Sequence, residues 1–242
     1  VASIAAGDGT ATNGAIPAGT FKGMAPSADI IFVRTTFDTV EVIDGVNYIV
    51  AKAAAAGKRA VINLSLGTQA GPHDGTSIFE AALGAIAAST PVVVAMGNEG
   101  AASPHAGANL GVGGTAGVVI NVDTANSGTD ADIEFWVPGA DHYNASVTLG
   151  GVGGSVSAVF ASTQAGTLGG HTVKIYNSTA TGHPGGDEQI YINVSRSPWI
   201  TVPTITVTLQ RVVSGGSGHV DGWVDPGQFI SFGSYVDNTR TI

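Results

Sequence analysis

Few residues in this chain of 242 can do chemistry, and most of them stand at the ends of apolar runs. Val93-Val94-Ala95-Met96 leads into Gly97-Asn98-Glu99-Gly100, and Val61-Ile62-Asn63-Leu64 leads into Ser65-Leu66-Gly67. Asn98 therefore sits just past a buried strand, at the carboxyl edge where α/β sheets place their ligands. Read alone, it is rather an Asn chosen for a turn, because Asn tolerates left-handed geometry. Ser77 in Gly75-Thr76-Ser77, or Ser103 two residues before His105, could act as a nucleophile with His73 or His105 as base. Against this, Ser77 stands three residues ahead of Glu80, the spacing of a helix-capping box, which already occupies its hydroxyl. The other four histidines are His142, His171, His183 and His219; none of the six pairs at i,i+4, and with no His-Glu-x-x-His and no cysteine a metal site is not expected. Asp187-Glu188 and the Asp221/Asp225 pair around Trp223 offer calcium-type oxygen ligands, with solvated turns as the default reading, so no cofactor is expected. Gly111, Gly113 and Ala116 fit a loose dinucleotide pattern, but a strand-like segment follows where a helix is needed.

Those residues need a frame, and the composition allows one. At 43% apolar and 11% charged the chain buries a real core, in one large domain or two smaller ones. A net charge of −9 with scattered bases gives no basic face, so neither nucleic acid nor an anionic membrane is an expected partner. No apolar run reaches the roughly 18–20 residues of a membrane helix. The chain opens at Val1 with neither an initiator Met nor a signal pattern, and reads as a piece of something longer.

Residues 1–117 alternate apolar runs with helical patterns. Ile30-Ile31-Phe32-Val33, Ala60–Leu64 and Pro91–Met96 read as buried strands. Between them run one helix with Val42, Ile43, Val46, Ile49, Val50 and Ala53 on its apolar face and another with Ile78, Phe79, Ala82, Leu83 and Ile86. Asp38 with Glu41 and Ser77 with Glu80 give capping-box spacing, and Gly57 stands at a C-terminal cap. Apolar strands joined by helices predict a parallel sheet covered on both faces, an α/β fold.

Residues 118–235 follow another grammar: short β-rich segments every 10–14 residues or so, split by Gly, Ser, Asn and Asp. They are 118–122, 133–137, 155–161, 172–176, 189–194, 204–209 and 229–232. The pattern predicts an antiparallel sandwich or jelly roll, joined to the first part through the Gly-rich stretch 107–117, with 236–242 returning towards the α/β part. Trp136, Trp199 and Trp223 fall in this half as core or sheet anchors, with carbohydrate stacking the livelier alternative.

Three ordered segments carry a resemblance: Gly23-Met24-Ala25-Pro26-Ser27-Ala28 before a strand, Val61–Gly67, and Val93–Gly100. Their order and spacing resemble those of subtilisin-like serine peptidases (subtilases), over roughly residues 1–105. The opening Val1–Gly7 looks like the helix that follows that family's catalytic histidine, and the second half resembles the jelly-roll insert that some bacterial subtilases carry. The resemblance implies a serine endopeptidase with a peptide or protein substrate. It makes Asn98 the oxyanion donor, where losing one donor costs about 3–4 kcal/mol of transition-state stabilisation, and Gly97 a substrate-binding residue. It makes Ser65, Leu66 and Gly67 the segment that binds substrate backbone. It also implies a secreted or cell-envelope bacterial origin.

By the same resemblance, the family's Asp and His motifs precede Val1 and its nucleophile follows Ile242, so the catalytic Asp, His and Ser are expected outside the chain and these residues alone are expected to be inactive. Two other classes stay open: a non-catalytic peptide- or partner-binding module derived from a subtilase, and a hydrolase using Ser77 or Ser103. An α/β part lacking its outer elements would expose apolar faces and favour self-association.

Overall fold

The computed structural model describes residues 2–11, 15–99, 101–128, 130–181, 183, 186–198, 200–225 and 229–235. They fall into two compact units, Val1–Ser65 with Ala82–Ala95, and Leu66–Ala81 with Met96–Ile242.

The first unit is thin. Its helix α1 (Ala2–Ala6) ends where Gly23, Met24 and Ala25 donate to the carbonyls of Gly7, Ile4 and Ala5. Gly23 is obligatory there, because a methyl group would meet the Gly7 and Ala6 nitrogens at 2.6 and 2.7 Å. Helix α2 (Thr39–Ala55) is capped by Asp38, whose side chain accepts from the Val40 amide. Glu41 does not close the box expected of it: its carboxylate takes the amide and hydroxyl of Thr36 instead. Gly57 (φ +65) ends the helix, with Lys58 donating to Ala53. The apolar stripe of α2 has the expected phase, burying Val42, Val46 and Ala53. Strands β1 (Ile62–Leu64) and β2 (Val92–Val94) pair in parallel, Ile62 with Val92 and Leu64 with Val94.

Among the described residues of 1–117 the expected doubly covered parallel sheet is not present; the described strands are overwhelmingly antiparallel. Ile30–Val33 forms no strand, and Phe32 is 82% exposed. Val93 and Val94 are exposed on β2, and helix α3 (Ile78–Ala87) buries no residue fully. The physical reason is pairing. A continuously apolar strand is an interior strand, stable only with a neighbour on each side and helices on both faces, and among the described residues β1 and β2 have only each other. Asn63, inside the run Ala60–Leu64 read as a buried strand, is exposed and donates to Ser65 Oγ at 2.9 Å.

The second unit holds two antiparallel sheets. Six strands run in the order β3 (His105–Asn109), β12 (His219–Val224), β5 (Asp130–Val137), β10 (Glu188–Ser195), β9 (His171–Thr179) and β8 (Ser162–Leu168). Five run in the order β13 (Ile230–Phe232), β4 (Thr115–Val122), β11 (Thr204–Val213), β6 (His142–Leu149) and β7 (Val156–Ala158). Alternation sends Ile133, Phe135 and Val137 inward from one sheet and Val118, Ile120, Val207 and Leu209 from the other, into one core. Burying each such side chain contributes roughly 1.5–3 kcal/mol. Strands β3 and the start of β4 occupy the Gly-rich stretch read as a junction. Residues 236–242 and Trp199 lie outside the described residues.

Candidate active site

The parallel pair ends with Leu64 beside Val94, and Ala95 donates to the Leu64 carbonyl at 3.0 Å. From these carboxyl ends the chain runs into the two segments that sequence singles out. Ser65 and Gly67 are exposed and Leu66 is half-buried. Gly97 takes φ +82, a value that favours glycine, and so turns the chain towards Asn98. Asn98 is exposed; its amide N–H donates to Glu99 Oε2 at 2.8 Å, and its side-chain amide engages no described residue.

Of the rival nucleophiles, Ser77 has its hydroxyl occupied otherwise. Ser77 and Glu80 form the reciprocal box, with Glu80 N–H donating to Ser77 Oγ at 3.1 Å and Ser77 N–H donating to Glu80 Oε2 at 3.2 Å. Ser103 adopts φ +53, and its carbonyl accepts from Phe232. His105 is fully buried on β3, with Nε2 2.8 Å from Asp221 Oδ1 and its ring 4.2 Å from that of Trp223.

Register explains how His105, Trp223 and Asp221 meet. Trp223 pairs with His105 on one side and Glu134 on the other, and Asp221 pairs with Trp136, so all share the outer face of the six-stranded sheet. The segment 66–81 belongs to the same unit and ties onto that face: Gly71 N–H donates to Glu134 Oε2 at 3.1 Å, and His73 lies 4.3 Å from Trp223. Thr76 Oγ1 is 3.2 Å from His183 Nδ1. A cavity of about 580 Å³ opens here, walled by Pro72–Asp74, Trp136–Pro138, Asp187, Ser217, His219, Asp221 and Trp223.

Sequence reasoning missed a buried polar cluster in the same unit. Asp141 accepts from the amides of Gly215, Gly216 and Gly218 and from Arg211 Nη2 at 2.6 Å. Burial opposes its ionisation, but those four donors outweigh burial and hold its carboxyl well below the usual range. Gly218 (φ +77) admits this geometry, since a methyl there would collide with the Leu110 carbonyl and the Arg211 guanidinium. Arg211 reaches inward at a bulge in β11. Glu188, read as a solvated turn residue, is fully buried against Tyr143 N–H and His142; burial pushes its pKa up to about 8. Asp187 is buried too, accepting from Gly139 at 2.8 Å. Tyr143 is pushed up to about 12 by burial and donates to the Gly218 carbonyl. The one sequence signal for the cluster was the Ser-Gly-Gly-Ser-Gly run at 214–218, which supplies a nest of amides. Among the described residues no group of three His, Asp or Glu side chains is arranged to hold a metal ion.

Residues 1–196 match the subtilase family model, peptidase S8. The chain belongs to the subtilase family. The match runs past residue 105, where the motif resemblance ends, into the antiparallel unit. Among solved structures, the CspB protease of Clostridium perfringens superposes with a TM-score of 0.68 at 19% identity, over 81% of this chain. The likeness establishes a shared fold, and the chain spans 41% of that protease's length.

Proposed function

We propose that this chain is the central portion of a subtilisin-like serine endopeptidase. Asn98 donates to the oxyanion; Ser65-Leu66-Gly67 pairs with substrate backbone and Gly97 joins it in binding substrate; and the antiparallel unit is an insert between the oxyanion and nucleophile segments. The carrying observation is the parallel pair β1–β2, whose adjacent carboxyl ends lead into both segments. An amide side chain that engages no described residue is a donor left available for a developing charge. The catalytic Asp, His and Ser are supplied by sequence beyond these 242 residues, so the 242-residue chain is inactive by itself.

Fluorophosphonate labelling of the 242-residue chain, read by intact mass, gives no adduct on this reading; a stoichiometric adduct would put an activated serine within the chain and overturn it. In the whole protein, Asn98→Ala lowers kcat by about 10²–10³-fold with KM little changed, and an unchanged kcat removes Asn98 from the site. The exposed apolar residues of the first unit, among them Met24, Phe32 and Val61, support the further reading that the isolated chain self-associates. A monomer by light scattering would refute that.

A further inference from the structure

The cavity on the outer face of the six-stranded sheet takes no part in the peptidase reading. Its volume, about 580 Å³, falls within the roughly 300–1,000 Å³ of small-molecule sites. Trp223 lines it and is 3% exposed, yet its Nε1–H has no hydrogen-bond partner among the described residues, and neither has Nε2 of His73. Buried donors without partners are rare, because each costs about 1–3 kcal/mol. The same cavity is lined by Asp74, Asp187 and Asp221 and by the prolines Pro72 and Pro138.

These groups discriminate among ligands. An anion meets three carboxylates. An ammonium or guanidinium brings donors only, and leaves the Trp223 N–H unsatisfied. The Trp223 ring packs against His73 and His105 and is 3% exposed, so it offers no open face to a cation. A peptide main chain pairs with a free strand edge, whereas the cavity lies over β12 and β5, whose neighbours on both sides are already paired. A sugar hydroxyl meets the combined demand, since it accepts from an indole N–H and donates to a carboxylate at once, while the ring's C–H face lies on proline.

We propose that this cavity binds a neutral carbohydrate, one hydroxyl accepting from Trp223 Nε1 and others donating to Asp187 and Asp221. The test is a titration of the chain with glucose, galactose, mannose, N-acetylglucosamine, maltose, cellobiose and chitobiose, followed by tryptophan fluorescence and calorimetry. At least one sugar binds saturably, and Trp223→Phe, which keeps the ring and removes the N–H, weakens it about tenfold or more. Asp187→Asn, which keeps an acceptor for Gly139, weakens the same sugar and serves as the probe if Trp223→Phe does not fold. No saturable response to any of the sugars up to roughly 100 mM overturns the proposal. So does sugar binding that both variants leave unchanged, or saturable binding of free arginine or trialanine in place of sugars. The readout is binding alone, so its failure leaves the peptidase reading standing, and the converse holds.

Discussion

Both units contain runs of β-branched and aromatic residues, yet only one converts them into a core. In the second unit, strands of up to ten residues pair on both sides, and Ile133, Ile175, Ile190, Ile192 and Ile205 lose all exposure. In the first, Val92–Val94 has one three-residue neighbour, and Val93 and Val94 stay about half exposed. Apolar sequence is therefore not sufficient for burial; the hydrogen-bonded neighbours that hold a strand in place decide whether its side chains find a covering layer.

Three substitutions probe that contrast, in falling order of effect. Arg211→Met leaves the Asp141 carboxylate buried without its cation, and should destabilise the second unit by about 3–5 kcal/mol in denaturant titration. Helix α2, followed by exchange of its amides, should hardly respond; a matching loss there would mean the units unfold as one.

Glu188→Gln should act in the opposite direction and depend on pH. The Glu188 pKa is about 8 when folded, against an ordinary value of 4.5, so between those values the folded state holds a proton that the unfolded state has released. Stability from this group falls as pH rises through that window, so the Gln variant gains on its parent by up to about 4 kcal/mol at pH 8 and not at pH 4. A flat difference would show that Glu188 is ionised in the fold. Asp141 has the reverse sign: its depressed pKa contributes stability above the usual carboxylate range, and that contribution fades only in stronger acid.

The smallest effect is Asp38→Ala, which removes the α2 cap for about 1 kcal/mol. In a unit with so little core that should suffice to cut the far-UV helical signal, while near-UV signals from Trp136 and Trp223 persist.

Legibility followed the same division. Local chemistry was readable: the apolar stripe of α2, the Ser77–Glu80 box, the Gly57 cap, and the in–out alternation of Ile133, Phe135 and Val137. Strands without a hydrophobic rhythm were not. β8 (Ser162–Leu168) is an edge strand of small polar residues, and β12 carries Gly222 where Phe135 leaves no room for a side chain. The cavity was invisible because His73, Trp136, Asp187 and Trp223 are brought together only by register and by a segment far upstream. The α/β expectation failed because sequence shows a strand's character but not whether its neighbours are there to pair with it.

The chain passes between its units three times, after Ser65, after Ala81 and after Ala95. A single cut in the backbone therefore cannot release either unit whole. During synthesis Leu66–Ala81 emerges well before β5 and β12, the strands it will rest on, and has to await both. Closing that long loop comes late, so the cavity wall at Pro72–Asp74 should be among the last parts of the second unit to form and among the first to open.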